Sequence, residues 1–214
     1  LEDDCLPDPT FFRYCHELLE YYRNDERIMM ISGTNVLGQW QADSQSYHFS
    51  WYGGIWGWAS WRRAWRHYDL EMTQWHDPVV KRRIRNTLAS SRHYKMRARL
   101  FDKVAAGRID TWDYQWSFAR LAQQGLSVVP SVNLISNIGF GRDATHTTNA
   151  KTDLAAMAIF PAGFPICWNH SIVADHEYDQ AFIKMVTSQQ TLLTKLNDAV
   201  MITFRRLKRV IGCS

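Results

Sequence analysis

The chain has 214 residues, of which 46% are hydrophobic and 21% are charged, with a formal net charge of +4. Its length and apolar content are sufficient for one large core, and its charge is too low for a disordered chain. No apolar run is long enough to predict a membrane-spanning helix. The four cysteines lack the spacing of a zinc site or a CxxC motif, which predicts free thiols in a reducing, cytoplasmic environment.

The first residues form an acidic turn. Glu2, Asp3 and Asp4 follow the apolar Leu1, and a turn signal at Pro7 comes soon after, which is the pattern of a strand that ends in a turn. Adjacent carboxylates repel one another unless a cation or hydrogen-bond donors lie among them. Hard oxygen ligands suit Mg²⁺ or Mn²⁺. The alternative is a solvated acidic turn that caps the next helix.

Local patterns predict an alternation of strands and helices. Asp8 and Pro9 mark a helix start, and Gly33, Gly107 and Gly125 mark the ends of elements. The predicted helices span 9–23, a segment that begins near residue 57, 77–89, 91–107, 110–124 and 178–210. The predicted strands span 28–31, 47–52, 126–129 and 132–135, and 137–153 is predicted to be a long loop.

Asp113 lies between Trp112 and Tyr114 at a predicted helix start. It is either a helix-capping aspartate or a general base, because a carboxylate walled by Trp112 and Trp116 would be partly removed from water. The Trp-rich stretch 51–65 likewise has two interpretations. It can form core, or its aromatic faces and glycines can hold a sugar ring close to the backbone.

The basic stripe at the end of the chain leaves three alternatives open. The segment 178–214 can pack on the domain, mediate self-association, or lie on an anionic membrane surface. The Arg and Lys residues of 81–98 lack the aromatic interleaving of RNA-binding modules, so we do not expect a nucleic-acid partner.

Four spaced motifs together resemble one family. They are Leu-Glu-Asp-Asp-Cys-Leu-Pro-Asp-Pro-x-Phe-Phe (1–12), Ile-Trp-Gly-Trp-Ala-x-Trp-Arg-Arg-Ala-Trp (55–65), Asp-Thr-Trp-Asp-Tyr-Gln-Trp (110–116) and Asn-Ile-Gly-Phe-Gly-x-Asp-Ala-Thr-His-Thr (137–147). The set resembles bacterial nucleotide-diphospho-sugar transferases related to glycosyltransferase family 2, some of which carry hemolysin-like labels. It is more distantly similar to the Golgi N-acetylglucosaminyltransferases of N-glycan synthesis.

The resemblance implies an α/β fold of the GT-A type, with a mixed sheet flanked by helices over 1–177. Beyond this range, the apolar stripe predicts an amphipathic C-terminal helix over 178–214. The resemblance further implies metal-dependent, inverting transfer of a sugar from a nucleotide-diphosphate donor to a hydroxyl of a glycan or other acceptor. The resemblance implies that Asp4 binds the metal and that Glu2 and Asp3 contact the donor sugar or ribose. It also implies that Gly57 and Trp58 border the sugar site and that Asp113 is the catalytic base. The loop around His146 would close over the diphosphate.

In GT-A enzymes the elements that hold the nucleotide precede the acidic turn. The resemblance therefore implies that this chain corresponds to the acceptor-side part of the domain, and it leaves open whether that part is active on its own. A different reading is a non-catalytic module that binds glycans through the Trp cluster 51–65, or that contacts the inner face of a membrane through the basic C-terminal helix.

Overall fold

The structure is a computed structural model that describes residues 1–88, 90–139 and 157–187. The strands are β1 (Cys5–Pro7), β2 (Ile28–Ser32), β3 (Tyr47–Ser50), β4 (Trp58–Ala59), β5 (Leu126–Pro130) and β6 (Ile135–Asn137). The helices are α1 (Thr10–Tyr21), α2 (Arg62–Trp65), α3 (Pro78–Thr87), α4 (Ser91–Ala105), α5 (Asp113–Ala122) and α6 (176–187), with a 3₁₀ turn at Thr73–His76.

The main sheet is mixed, with the strand order β3-β5-β2-β4. β2 and β5 are parallel, while β3 and β4 pair antiparallel with them on the two outer sides. β1 and β6 form a separate antiparallel pair. The prediction of an α/β fold with a mixed sheet and flanking helices is therefore confirmed.

Three strands of the sheet, β2, β3 and β5, are continuous buried runs, because the sheet is covered on both faces there. In β5 every residue is buried. Leu126 and Val128 join the core cluster formed with α1, whereas the Ser127 hydroxyl accepts a hydrogen bond from Arg120 of α5. Two-sided burial of this kind is typical of central strands between helical layers.

The first helix begins at Thr10, one residue after the predicted start, with Pro9 at the capping position. Asp8 Oδ1 accepts hydrogen bonds from the backbone N–H of Thr10, at 2.9 Å, and from its hydroxyl, at 2.5 Å. These bonds hold the first turn, and Leu18 on the inner face of α1 is completely buried against the sheet. The cap and the apolar stripe therefore point to the same structure.

The helix predicted to start near Gly57 is wrong. Trp58 and Ala59 form β4, in which Trp58 pairs with Ser32 of β2, and the helix that follows is a single turn, α2. The spacing of Trp58, Trp61 and Trp65 fits a helix, but pairing with an otherwise open sheet edge prevailed, and Trp is also a favourable strand residue.

The acidic turn also differs in part from its prediction. Asp3 and Asp4 form a turn, as expected, but the strand next to it in the structure, β1, follows the turn and is paired with β6. This pairing brings the start of the chain against Asn137, far away in sequence. The turn is therefore positioned by a tertiary contact.

The last described helix packs on the domain, starting two residues before the predicted boundary of 177/178. Tyr178 is buried, its neighbour Asp179 accepts a hydrogen bond from Ser50 in β3, and the Phe182 ring stacks on Tyr52 with centroids 4.7 Å apart. The rest of the predicted C-terminal helix, 188–214, lies outside the described residues. Within the described ranges, no helix is both long and apolar enough to cross a membrane.

Candidate active site

A group of side chains at the acidic turn, which we call the acidic corner, consists of Glu2, Asp4 and Cys5. One ligand atom from each lies within 4.8 Å of the other two. Glu2 is exposed, Asp4 is partly buried and Cys5 is buried. Asp3, the middle residue of the acidic triplet, is exposed and lies outside this group, so the two carboxylates that converge are those on either side of it.

Asp4 is held by a residue of β6, the strand that pairs with β1. The Asn137 side-chain amide donates to Asp4 Oδ2 at 3.2 Å, and the backbone N–H of Gly139 donates to Asn137 Oδ1 at 2.8 Å. A Cβ atom at Gly139 would lie only 2.2 Å from Asp4 Oδ2. The backbone of Gly139 thus lies directly against the carboxylate of Asp4, and a residue with a side chain at this position would displace that carboxylate.

The negative charges of this corner are concentrated. The pKa of Glu2 is raised by burial first, then by repulsion from Asp4, with smaller contributions from Asp113 and Asp3, while the terminal ammonium lowers it. The ion pairs found among the described residues all lie elsewhere. Carboxylates that repel one another without a paired Lys or Arg favour a bound cation.

Asp113 is close enough to this corner for its charge to act on Glu2. It is the first residue of α5, with Trp112 at the capping position, so it is not the capping residue of the helix. It is partly buried, and its Oδ1 accepts a hydrogen bond from the Thr111 hydroxyl. The charge of the predicted base therefore acts on one member of the acidic corner, Glu2.

A group of contacting tryptophan rings, which we call the aromatic column, includes neighbours in sequence of both Gly57 and Asp113. The Trp58 and Trp112 rings are stacked with centroids 5.5 Å apart, and Trp58 also contacts Trp65 and Trp116. Trp116 is completely buried, whereas 41% of Trp65 is exposed. The Trp cluster is therefore core at one end, as one interpretation predicts, and surface at the other, where sugar binding stays a prediction.

The glycines of this region approach other parts of the same chain. A Cβ at Gly57 would lie 2.4 Å from Ile135 Cδ1 and 3.1 Å from Leu1 Cδ2, and its φ of +59° also favours glycine. A Cβ at Gly54 would lie 2.5 Å from Thr34 Cβ. Close backbone packing explains these glycines, and the contact with Leu1 places Gly57 next to the acidic turn.

The residues of the acidic corner fit a hard divalent cation. Burial raises the pKa of the Cys5 thiol, which keeps it protonated and makes it a poor ligand. The ligands left are carboxylate oxygens of Glu2 and Asp4, which suit Mg²⁺ or Mn²⁺. Glu2, predicted to lie beside a sugar or ribose, is thus placed as well to share a cation with Asp4.

Sequence reasoning missed part of the site. Asn137 and Gly139 were recognised only as the beginning of a loop motif, although they orient Asp4. The Asn-x-Gly spacing, typical of a side-chain-to-backbone turn, was a usable signal. His146, expected to close over a diphosphate, lies outside the described residues.

Comparisons of the chain with protein-family models, with curated proteins and with solved structures found no match. The case for a function therefore rests on the motifs and on the geometry of the described residues.

Proposed function

We propose that this chain carries the acceptor-side part of a metal-dependent, inverting glycosyltransferase of the GT-A type, which uses a nucleotide-diphosphate sugar as donor. The observation that supports it most is that Glu2 forms one group with Asp4 and that the charge of Asp113, from α5, acts on Glu2. This chemistry needs at least one pair of carboxylates that binds a cation and one separate carboxylate that accepts a proton.

Glu2 and Asp4 are the residues proposed to hold the cation, and Asn137 and Gly139 keep Asp4 oriented toward it. A bound Mg²⁺ or Mn²⁺ would supply positive charge to the donor diphosphate and improve it as a leaving group. The chain's own contribution is to place these oxygens without a competing Lys or Arg.

Asp113 is proposed to act as the base. An acceptor hydroxyl oxygen forms a bond to the anomeric carbon, while the bond from that carbon to the diphosphate oxygen breaks and its electron pair leaves with the diphosphate. The hydroxyl proton goes to Asp113, for which we assign Oδ2, since Oδ1 is held by Thr111. Direct displacement inverts the anomeric centre, so one positioned carboxylate is sufficient.

Trp58 and Trp112 are proposed to line the sugar site. The two rings stack on each other. Trp112 precedes Asp113 in sequence, and Trp58 follows Gly57, which lies next to the acidic turn. Flat aromatic faces bury the apolar C–H face of a sugar and leave its hydroxyls free for hydrogen bonds. The column would thus orient the acceptor hydroxyl toward the base.

The decisive experiment is titration calorimetry with Mn²⁺ on the Asp4→Asn variant, with Asp3→Asn as matched control. Asp4→Asn should weaken Mn²⁺ binding by about 100-fold or more, since even the partners of metal ligands contribute about 10- to 100-fold. Asp3→Asn, an exposed residue outside the cluster, should bind like the wild type. Equal affinities in both variants would reject the metal site.

A second candidate is a glycan-binding module without catalysis. It is favoured by a surface groove of 420 Å³ along β4 and α2 whose walls include Trp58, Trp61 and Trp65. Such a module would bind oligosaccharides in the presence of EDTA, and Trp65→Ala would abolish binding. Phe12→Ala, an aromatic that is 58% exposed on α1, is the control that should have no effect.

A further inference from the structure

One cavity is a groove between α4 and α6, and none of the residues of the acidic corner lines it. Its volume is 1240 Å³, and Tyr114 of α5 contributes to its floor. We call it the basic groove. It is large enough for a ligand of several hundred Å³, which is the usual size of a small-molecule site.

The charges of the groove have one sign. Its lining, among the residues that the structure describes, contains six cationic side chains and no Asp or Glu: Arg92, Lys95, Arg97, Arg99, Lys103 and Lys184. Four of those on α4 follow one another at a spacing of three or four residues, which places them on one helix face. None of the ion pairs between described residues involves a side chain of α4.

Arg97 is the deepest of these cations. Its Nε is buried and has no hydrogen-bond partner among the described residues, and its guanidinium carbon lies 5.9 Å from the centre of the Tyr52 ring. A buried cationic donor without a partner is costly. An anionic group bound in the groove would accept a hydrogen bond from this nitrogen.

The facing wall is apolar. Phe182, Ile183 and Val186 of α6 line the groove, together with Met96 and Leu100 of α4. A basic rim above an apolar wall matches a ligand that has a phosphate at one end and a hydrocarbon chain at the other. Inorganic phosphate or a nucleotide would leave this wall exposed to water.

Two other occupants fit less well. The segment 188–214 of this chain contains five Lys or Arg and one Asp, so its charge repels the groove. A nucleic acid would need free aromatic faces for base stacking, but the Phe182 ring is already stacked on Tyr52 with an interplanar angle of 6°.

We propose that the basic groove is a binding site for an anionic, phosphate-bearing amphiphile such as a membrane phospholipid, with the phosphate on the cations of α4 and the hydrocarbon chain along α6. This proposal does not depend on the roles of the proposed catalytic residues, although the charge of Asp113 acts on Arg97 and Tyr114 lines the groove. It would tether the protein to a membrane surface through one bound lipid.

The test uses the full chain and a water-soluble probe, dihexanoyl phosphatidic acid, in titration calorimetry. The double variant Arg99→Glu/Lys103→Glu changes two exposed cations of the groove. It should weaken binding of the probe by about 30-fold or more, given the usual contribution of one cation to binding an anionic lipid. The matched control Arg66→Glu/Arg82→Glu makes the same change in net charge at exposed positions outside the groove and should bind normally.

Three ligands separate the alternatives. Glycerol 3-phosphate should bind much more weakly than the phosphatidic acid probe, because it lacks the hydrocarbon chain, and dihexanoyl phosphatidylcholine should also bind weakly, because its net charge is zero. Equal binding of either would overturn the proposal, as would equal losses in the two double variants. Tight binding of a single-stranded oligonucleotide without binding of the lipid would identify a nucleic-acid site and reject the lipid.

Discussion

The acidic corner combines two carboxylates of one turn with the effect of the Asp113 charge from α5, whereas in the basic groove five of the six cations come from one helix. The pairing of β1 with β6 also brings Asn137 against Asp4. Arg99 and Lys103 meet because they are one helical turn apart. The surroundings of the acidic corner therefore need a fold, whereas the accumulation of charge in the groove needs only a helix.

The two regions also differ in how their charges are compensated. Asp4 has an oriented hydrogen-bond donor in Asn137, and the backbone is shaped around it at Gly139. The groove cations other than Arg97 are mostly exposed and rely on water. A site shaped around one side chain indicates a small, specific ligand such as a metal ion, whereas a solvated rim indicates a larger anion.

The largest expected effect concerns the base. Asp113→Asn should lower sugar transfer, or donor hydrolysis, by about two to four orders of magnitude, since it removes the proton acceptor. Mn²⁺ affinity measured by calorimetry should stay within a few-fold of the wild type, because Asp113 is outside the group of Glu2, Asp4 and Cys5. Undiminished turnover in this variant would remove Asp113 from the mechanism and separate it from the acidic corner.

The next effect concerns a carboxyl beside the groove. Burial is the main cause that raises the pKa of Asp179 in α6 from 3.8 to about 6. The unfolded chain releases this proton near pH 4 and the folded chain near pH 6, so stability should fall between these values and stay lower above them. The loss is on the order of 3 kcal/mol, and Asp179→Asn should remove it.

The measurement is the free energy of unfolding in urea between pH 4 and 7, as the difference between wild type and Asp179→Asn. Taking the difference cancels His48 and His93, whose pKa values burial lowers to about 4 in both proteins. The exposed Asp43→Asn serves as control and should keep the wild-type profile. A difference that does not change with pH would show that Asp179 is not held protonated.

A smaller effect concerns Gly139, whose backbone lies against the carboxylate of Asp4. Gly139→Ala should weaken Mn²⁺ binding by about 10- to 100-fold, since its Cβ would displace the carboxylate that it now supports. Gly163→Ala is the matched control, because a Cβ there would meet nothing within 4 Å. Unchanged Mn²⁺ affinity in Gly139→Ala would mean that the orientation of Asp4 does not contribute to the site.

The smallest effect tests the repulsion on α4. Arg99 has like charges four residues away on both sides, so Arg99→Gln should raise the free energy of unfolding by about 0.5 kcal/mol at low salt and less at high salt. On α1, Arg13→Gln should have the opposite sign, since Arg13 Nε lies 2.7 Å from Glu17 Oε1. Equal changes in the two variants would show that the stripe of α4 is not under repulsion.

Much of the fold could be predicted from local patterns. The start of α1 follows from Asp8 and Pro9, and the boundaries of α3 and α4 agree with the prediction within a few residues. The prediction failed at Trp58, where sheet pairing outweighed helical spacing. Arg120, which is buried beside Ser127 and whose pKa burial lowers to about 9, also gave no signal, because arginine is normally exposed.

By itself the sequence determined the secondary structure that short-range chemistry controls: caps, apolar periodicity, and the cationic face of α4. It also supplied the acidic triplet and Asp113 as separate candidates. Only the tertiary structure decided that Glu2 rather than Asp3 accompanies Asp4, that Gly139 supports this carboxylate, and that Asp113 lies within electrostatic reach of Glu2. Those outcomes depend on strand pairing and helix packing between distant segments, which no local pattern contains.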